Sequence, residues 1–230
     1  FLLPRLGPRV YLRDPEWRAY GWITLIMIAI VTAALLLGGT QMSLDESVRK
    51  ASFQVVSILT TTGYASADYE LWSFAPTALI CMICLMFVGG MSGSTSGGFK
   101  VVRHLLIIKI WVRELFLVNH PHAVRPIRLG ARAVPEDVIR SVSAFCGAYI
   151  ALLVLGVLFF AIQGEDLLTS FAVSAATLGN VGPGLGDIGP MESFAGLSAF
   201  SKWICMLLML LGRLEIFTLL VFLSPAFWRR

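Results

Sequence analysis

The sequence predicts an all-α integral membrane protein made of two repeats, each with a membrane span, a short re-entrant pore helix and a second span. Hydrophobic residues make up 57% of the chain and charged residues only 14%, with a mean hydropathy of +0.80. A short apolar segment from Ser52 leads into a loop containing Gly63, and it is shorter than the ~20 residues that cross a bilayer. A second copy at 170–182 aligns Gly182 with Gly63 when one residue is inserted. Such an internal repeat indicates a fold built from two similar units.

The first repeat begins with a span from Tyr20 to Leu37, which carries no charge and starts with aromatic residues suited to the membrane interface. The sequence Ser43-Leu-Asp-Glu46 has the capping-box pattern, so a new helix is predicted to start there. Its acidic first turn complements the helix dipole. After the loop at Gly63, a second apolar helix is predicted over 76–88.

A glycine-rich stretch at 89–98 is predicted to interrupt the second span. Each of its five glycines costs ~1 kcal/mol relative to alanine in a helix. The alternative is close helix packing through Gly89-x-x-x-Gly93 and the next such pair. A phosphate-binding loop is excluded, because Phe99 separates Gly98 from the lysine that follows. We therefore expect a loop.

The rest of the chain repeats this order. The segment after the break, to residue 118, is helical in character and strongly basic. A third span is predicted over 141–162, a second short helix from Gly164, a loop at 182–186 and a fourth span over 197–223. The predicted units are one repeat over 1–118, a cytosolic connection over 119–137 and a second repeat over 138–230.

Charge asymmetry predicts the orientation. The N-terminal segment, the stretch 100–140 and the C-terminus hold most of the 18 lysines and arginines, so the positive-inside rule places both termini in the cytosol. Each short helix must then start outside and return to the same side, below an acidic outer mouth. Because the chain begins with Phe1 rather than methionine, we expect it to be the C-terminal part of a longer protein.

Two re-entrant loops at matching places predict a cation pore. Non-helical backbone at membrane depth is tolerated only where it is buried or lines a watery cavity. A short helix that starts outside points its partly negative C-terminal end at the membrane centre. Carbonyls in the following loop can replace an ion's hydration shell, and glycine allows the backbone conformation this requires.

Four motifs resemble the signatures of the Trk/Ktr/HKT superfamily of potassium transport proteins, and are most similar to the bacterial Trk-type pore-forming subunit. They are Thr60-Thr-Thr-Gly-Tyr64, the stretch from Gly89 to Arg103, Gly179-Asn-Val-Gly-Pro-Gly-Leu-Gly186 and Gly212-Arg-Leu-Glu-Ile-Phe217. In that family four span, pore helix, span repeats in one chain form the pore. The resemblance therefore implies that this chain is similar to repeats three and four, half of a fourfold potassium-channel-like pore.

The resemblance also implies roles for individual residues. The selectivity filter would consist of Thr61, Thr62, Gly63, Asn180, Val181 and Gly182, with potassium bound at Thr62, Gly63, Val181 and Gly182. The intramembrane gating loop would contain Gly89, Gly90, Gly93, Ser94, Thr95, Gly97 and Gly98. Gly179 is an alternative filter glycine if the inserted residue is placed differently.

A basic residue within the fourth predicted span needs an explanation. Because an arginine in a span costs ~2.5–3.5 kcal/mol, Arg213 requires water or a partner. The resemblance implies that it faces the permeation path, and a structural pair with another helix is the alternative. Glu215 is only two residues away and points to a different side of the helix, so we do not expect it to be that partner.

The resemblance further implies a potassium uptake system of the bacterial inner membrane, with K⁺ as the transported ion and no organic cofactor. The expected partners are the lipid bilayer, the two missing repeats or a second copy of the chain in a homodimer, and a cytosolic nucleotide-binding regulatory subunit of the RCK type; no nucleic acid is expected. The basic 100–140 stretch suits a docking face for that subunit, and attraction to anionic lipid explains it equally well.

Other classes of function remain as alternatives. A cation-coupled secondary transporter would place its substrate at the broken helices, although Glu215 is the only acid within a predicted span. An enzyme with a site around His104, His120 and His122 lacks companion acids at ligand spacing, so no enzymatic activity is expected. Two short motifs could form a metal or redox site or could have a purely structural role. Cys81-x-x-Cys84 suits packing within a helix, and His120-Pro-His122 suits a solvated loop.

Overall fold

The structure, a computed structural model, describes residues 14–38, 42–223 and 225–228. The N-terminal arginines that contribute to the predicted orientation, Arg5, Arg9 and Arg13, and the two arginines at the C-terminus lie outside the described residues.

The described chain is mainly helical. Its helices are α1 (Pro15–Leu37), α2 (Leu44–Leu59), α3 (Pro76–Met86), α4 (Val101–Asn119), α5 (Glu136–Ile162), α6 (Leu167–Gly179), α7 (Ala199–Arg213), α8 (Phe217–Leu223) and α9 (Pro225–Trp228), with 3-10 turns at Glu70–Phe74 and Phe194–Gly196. Two short antiparallel strands, β1 (Arg128–Leu129) and β2 (Arg132–Ala133), pair Arg128 with Ala133. This hairpin was not predicted within the connection.

Side-chain caps explain where the helices of each repeat begin. Asp14 accepts a hydrogen bond from the Glu16 N–H at 2.8 Å, and Pro15 occupies the first turn of α1. The predicted start of α2 is confirmed, because Ser43 Oγ accepts from the Glu46 N–H at 3.2 Å. Asp166 accepts from the Leu168 N–H at 3.2 Å at the start of α6.

Among the described residues, two helices, α1 and α5, are long and apolar enough to cross a membrane by length and composition, while α3 and α6 are shorter apolar helices. The second span is broken, as predicted. The fourth span, predicted over 197–223, is interrupted, since α7 ends at Arg213 and the chain becomes helical again at Phe217. The cause is a left-handed residue at Glu215 (φ +58°), after which the Ile216 N–H bonds the Leu211 carbonyl.

The two repeats pack on each other around one core. Helix α1 packs against α2 and α3, and α6 packs against α5 and α7, with α3 contacting α6 between them. Apolar residues from both short helices share this core, among them Val55, Ile58, Val173 and Leu178. A smaller cluster of Leu106, Ile127, Ile139 and Val142 holds the β1–β2 segment against α4 and α5. The ends of α2 and α6 therefore meet in the middle of the fold.

Candidate functional site

Helices α2 and α6 end with the same backbone motif. Thr61 (φ +54°) and Asn180 (φ +55°) both adopt the left-handed conformation. The N–H of the residue that follows each of them donates a hydrogen bond back into the helix. Thr62 bonds the Ser57 carbonyl and Val181 bonds the Ala176 carbonyl, each at 2.9 Å and each enclosing six residues. This is the Schellman motif that ends many helices. Asparagine is enriched in the left-handed conformation, whereas a β-branched threonine seldom adopts it.

The matching ends fix which glycines correspond. Two residues beyond each left-handed residue lies a glycine with positive φ, Gly63 at +77° and Gly182 at +110°. The structural counterpart of Gly63 is thus Gly182. Gly179 instead belongs to α6, and a Cβ on it would lie 2.7 Å from the Met86 carbonyl oxygen. Its lack of a side chain therefore serves the close contact between α6 and α3.

Carbonyl oxygens without partners gather beyond the two helix ends. The backbone carbonyls of Thr61, Thr62, Gly63, Asn180, Val181 and Gly182 accept no hydrogen bond from any described residue. The two loops adjoin, because a Cβ on Gly63 would overlap the Val181 carbonyl oxygen. Unpaired carbonyls at the partly negative ends of two helices form a good environment for a cation without its hydration shell.

Buried polar residues of α2 hold its loop in place. Ser57 Oγ donates to the Tyr64 carbonyl at 2.6 Å, and Gln54 Nε2 donates to the Ala67 carbonyl at 2.7 Å. Both side chains are at least 94% buried. Sequence reasoning missed these residues, although polar residues on the buried face of an apolar helix are the signal that could have found them.

Two side chains of the first repeat hold the corresponding loop of the second. The Tyr69 hydroxyl donates to the Gly184 carbonyl at 2.7 Å, and Tyr69 is fully buried. One Glu70 carboxylate oxygen accepts from the Gly186 N–H at 2.5 Å. The sequence pattern marks Glu70 only as part of the acidic outer mouth. These bonds instead connect the two repeats just beyond the candidate filter.

The pKa of Glu70 is raised, mainly by burial, while the Gly186 N–H bond lowers it and the charges of Asp68, Glu192 and Asp187 raise it further. A carboxyl with a raised native pKa binds its proton more tightly when folded, so its contribution to stability is lost as the pH rises above the ordinary value and through the raised one. Glu70→Gln keeps an oxygen acceptor without the charge. We expect this variant to show less loss of thermal stability between acidic and neutral pH than the wild type.

A comparison of Glu70→Ala with Glu70→Gln separates the effect of the hydrogen bond on stability from the effect of the charge, because both variants lack the charge and only glutamine keeps an acceptor. Glu70→Ala leaves the Gly186 N–H without its acceptor, at a cost of about 1–3 kcal/mol. Thermal unfolding in detergent at neutral pH should therefore give a lower midpoint for Glu70→Ala than for Glu70→Gln. Glu192→Ala is a control that removes a nearby charge without a side-chain hydrogen bond. Equal midpoints for both Glu70 variants would show that the bond to Gly186 does not hold the loop.

The glycine-rich stretch is a loop, so the alternative of a continuous packed helix was wrong. Its base is closed by bonds from the Gly89 N–H to the Phe99 carbonyl at 3.0 Å and from the Val101 N–H to the Gly90 carbonyl at 3.2 Å. Near its tip, the Ser92 N–H and hydroxyl both donate to the buried Glu16 carboxylate at 2.6 Å. The loop is thereby attached to the start of α1.

The loop lies directly against the ends of α2 and α6. The Gly97 N–H donates to Thr61 Oγ1 at 3.3 Å. A Cβ on Gly97 would lie 2.6 Å from Asn180 Cβ. A Cβ on Gly98, which has a φ of +70°, would lie 3.2 Å from the Gly179 carbonyl oxygen. A Cβ on Gly93, by contrast, would have nothing within 4 Å of it. Glycine at 97 thus permits contact with both helix ends, and glycine at 93 does not serve that purpose.

The other end of the loop is attached to the break in the last span. Glu215 pairs with Lys100 at 3.0 Å and with Arg103 at 2.8 Å, and the Arg103 guanidinium lies 3.9 Å from the centre of the Phe145 ring. Sequence reasoning missed these pairs. Arg213 is exposed and forms no ion pair with a residue in the described part of the chain.

Gly212 explains why α7 lies so close to the end of α6. A Cβ on Gly212 would overlap the Leu178 carbonyl oxygen and lie 2.7 Å from Asn180 Nδ2. That Asn180 nitrogen donates to the Met209 carbonyl at 3.1 Å. The left-handed residue of the second loop is therefore bonded to α7, one turn before Arg213.

Two of the three histidines pack on different aromatic rings. His104 contacts Phe99 edge-on at 4.5 Å, while His120 stacks on Phe116 at 4.6 Å. All four cysteines are free thiols, with Cys81 buried and Cys84 exposed. No group of three histidine, cysteine or acidic residues suited to a metal ion occurs within the described ranges.

Comparisons with known proteins agree with this architecture. The family model for TrkH, described as a cation transport protein, matches residues 22–230. The chain is 41% identical over 229 residues to the Trk system potassium uptake protein TrkH of Salmonella typhimurium, covering 99% of this chain and 46% of that protein. It is 36% identical over 219 residues to TrkG of Escherichia coli K12, covering 95% and 44%.

A solved structure has the same fold. The crystal structure of the potassium transporter TrkH from Vibrio parahaemolyticus superposes with a TM-score of 0.87 at 39% identity, covering 96% of this chain and 47% of that one. The chain thus spans about half the length of the curated relatives it matches.

Proposed function

The chain belongs to the TrkH family of cation transport proteins, and we propose that it forms half of the pore of a potassium uptake system. The observation that carries this proposal is the pair of matching helix ends, each followed by carbonyl oxygens that lack a partner among the described residues. Trk system relatives are potassium uptake proteins, so potassium is the cation that these oxygens would coordinate.

In the proposed filter, carbonyls of Thr62, Gly63, Val181 and Gly182 take the place of water around the ion. Thr61 and Asn180 set the direction of those carbonyls, because the left-handed residue turns the chain away from the helix axis. The bonds from Ser57, Tyr69 and Glu70 then hold the loops at a fixed separation. A filter held in this way does not have to reorganise when an ion arrives.

The glycine-rich loop at 89–98 is the proposed gate. It contacts the candidate filter through Gly97, is attached to Glu16 near its tip, and is followed by Lys100, which pairs with Glu215. Five of its ten residues are glycines, which have no side chains to hold it in place, so we propose that it can move at a low energetic cost. Arg213, which is exposed at the end of α7, is proposed to face the permeation path.

The remaining parts of the assembly are also proposals. The chain supplies two span, pore helix, span repeats, so two more must come from the rest of the protein or from a second copy. We propose a homodimer in the bacterial inner membrane with both termini of this chain in the cytosol, together with a cytosolic RCK-type regulatory subunit.

Potassium-dependent growth of an uptake-deficient bacterium tests the function. A protein that joins two further repeats to this chain should restore growth at limiting potassium, whereas residues 1–230 alone should not. Growth with the 230 residues alone would mean that two copies complete the pore. If neither restores growth or rubidium uptake, the potassium proposal is wrong and a cation-coupled transporter with its site at the broken helices becomes the better explanation.

A further inference from the structure

A cationic cavity that the pore does not use lies between the end of α4 and the segment leading to β1. It has a volume of about 250 Å³ and is lined by Lys109, Val112, Arg113, Arg125, Pro126, Ile127 and Arg128. We propose that this cavity binds the phosphate of an anionic phospholipid from the cytosolic leaflet. This inference does not depend on conduction through the proposed pore.

The charges around the cavity are only partly compensated. Arg113 pairs with Glu136 at 2.6 Å and with Glu114 at 3.3 Å. Arg125 lies 4.7 Å from the centre of the Phe116 ring, while Lys109 and Arg128 form no ion pair with a described residue. Four cations thus face one space with two acids nearby. A phosphate would relieve their repulsion, and arginine matches phosphate geometry well.

The wall that carries Arg125 and Arg128 is held by packing. Ile127 between them is 4% exposed and belongs to the small core cluster with Leu106 and Ile139. The Val134 N–H bonds the Ile127 carbonyl at 2.8 Å across the hairpin. The cationic side chains therefore project from a segment fixed against α4 and α5.

The position of the cavity suits a lipid headgroup. Glu136, which pairs with Arg113, is the first residue of α5, and the apolar part of that span is predicted to begin at Ser141. Five residues of helix measure about 7.5 Å, which places the cavity beside the headgroup layer. Basic pockets at this depth on the cytosolic side bind anionic headgroups.

An apolar stripe on α4 favours a lipid over a free anion. Trp111 and Leu115 are 66% and 70% exposed, and Val112 both belongs to this exposed stripe and lines the cavity. An acyl chain can lie along the stripe while the phosphate occupies the cavity. Inorganic phosphate would gain nothing from these apolar residues.

Lipid titration of the purified protein in neutral detergent tests the proposal. Native mass spectrometry and thermal unfolding would compare phosphatidylglycerol with phosphatidylcholine of the same chain length. We expect phosphatidylglycerol to bind more tightly, and the double variant Lys109→Ala/Arg128→Ala to weaken that binding by about tenfold or more. The charge-matched control Arg132→Ala/Arg140→Ala removes two exposed cations that do not line the cavity, and should change binding by less than about twofold.

Each other result overturns the proposal. Equal losses in the two double variants would mean diffuse attraction to the basic surface, and equal binding of the two lipids would mean no headgroup site. The same thermal shift with inorganic phosphate would identify a soluble anion as the ligand. If the double variant does not fold, Lys109→Ala alone should still weaken phosphatidylglycerol binding relative to Arg140→Ala. Rubidium uptake, measured in parallel, should persist in the control and tests the pore separately.

Discussion

Gly63→Ala is expected to abolish selective potassium uptake. A Cβ at residue 63 would overlap the Val181 carbonyl oxygen, one of the four proposed potassium ligands, and Gly63 has a φ of +77°. Side chains are strained in that conformation, so the loop must move whichever constraint gives way. We expect rubidium uptake to fall by at least tenfold, or about 1.4 kcal/mol in barrier height. Any residual uptake should no longer favour potassium over sodium.

Gly147→Ala is the matched control for Gly63→Ala. It adds the same methyl group in α5, where nothing lies within 4 Å of it, so expression and uptake should stay close to wild type. Gly182→Ala should resemble Gly63→Ala, because Gly182 has a φ of +110°. A Gly63→Ala protein that folds and keeps its potassium over sodium selectivity would exclude this glycine from the filter.

The local features of the fold were predictable from sequence because short-range rules govern them. The start of α2 follows from Ser43 and Glu46, which form a cap within four residues. The break after α3 follows from a run of glycines that no helix tolerates well. The correspondence of Gly63 with Gly182 follows from the repeat, and the backbone angles of both residues agree with it.

The left-handed conformations of Thr61 and Glu215 were not predictable, because neither residue type favours positive φ. A β-branched threonine seldom has positive φ, yet Thr61 adopts it, as do Asn180 and Glu215. In each case the following N–H closes a bond back to the helix, and tertiary contacts fix the loop. Glu215, the last of these residues, interrupts the fourth span that is predicted over 197–223.

Long-range pairs also escaped prediction. The bonds from Tyr69 to Gly184 and from Lys100 to Glu215 each join residues 115 positions apart. No periodicity or spacing marks such partners in a single sequence. They matter for the candidate site, because the first holds a filter loop and the second holds one end of the glycine-rich loop.

Gly97→Ala is expected to raise the uptake rate without changing selectivity. The added methyl would lie 2.6 Å from Asn180 Cβ and 3.0 Å from its Cγ, so the loop can no longer rest against the end of α6. Overpacking of this kind costs about 1–3 kcal/mol. If the loop obstructs the pore in the position described here, this cost shifts the population toward an open pathway by about 5- to 150-fold at most. Rubidium uptake and the ratio of potassium to sodium flux would measure the effect.

Gly93→Ala in the same loop tests whether uptake depends on the contact with Asn180 or on the number of glycines in the loop. It removes a glycine of the same stretch, but no atom lies within 4 Å of the added methyl, so uptake should remain close to wild type. Equal increases in both variants would indicate that loop flexibility, rather than contact with Asn180, controls flux. A Gly97→Ala protein with lower uptake and lost selectivity would mean that Asn180 moves instead of the loop. The glycine-rich loop would then be a support for the filter and not its gate.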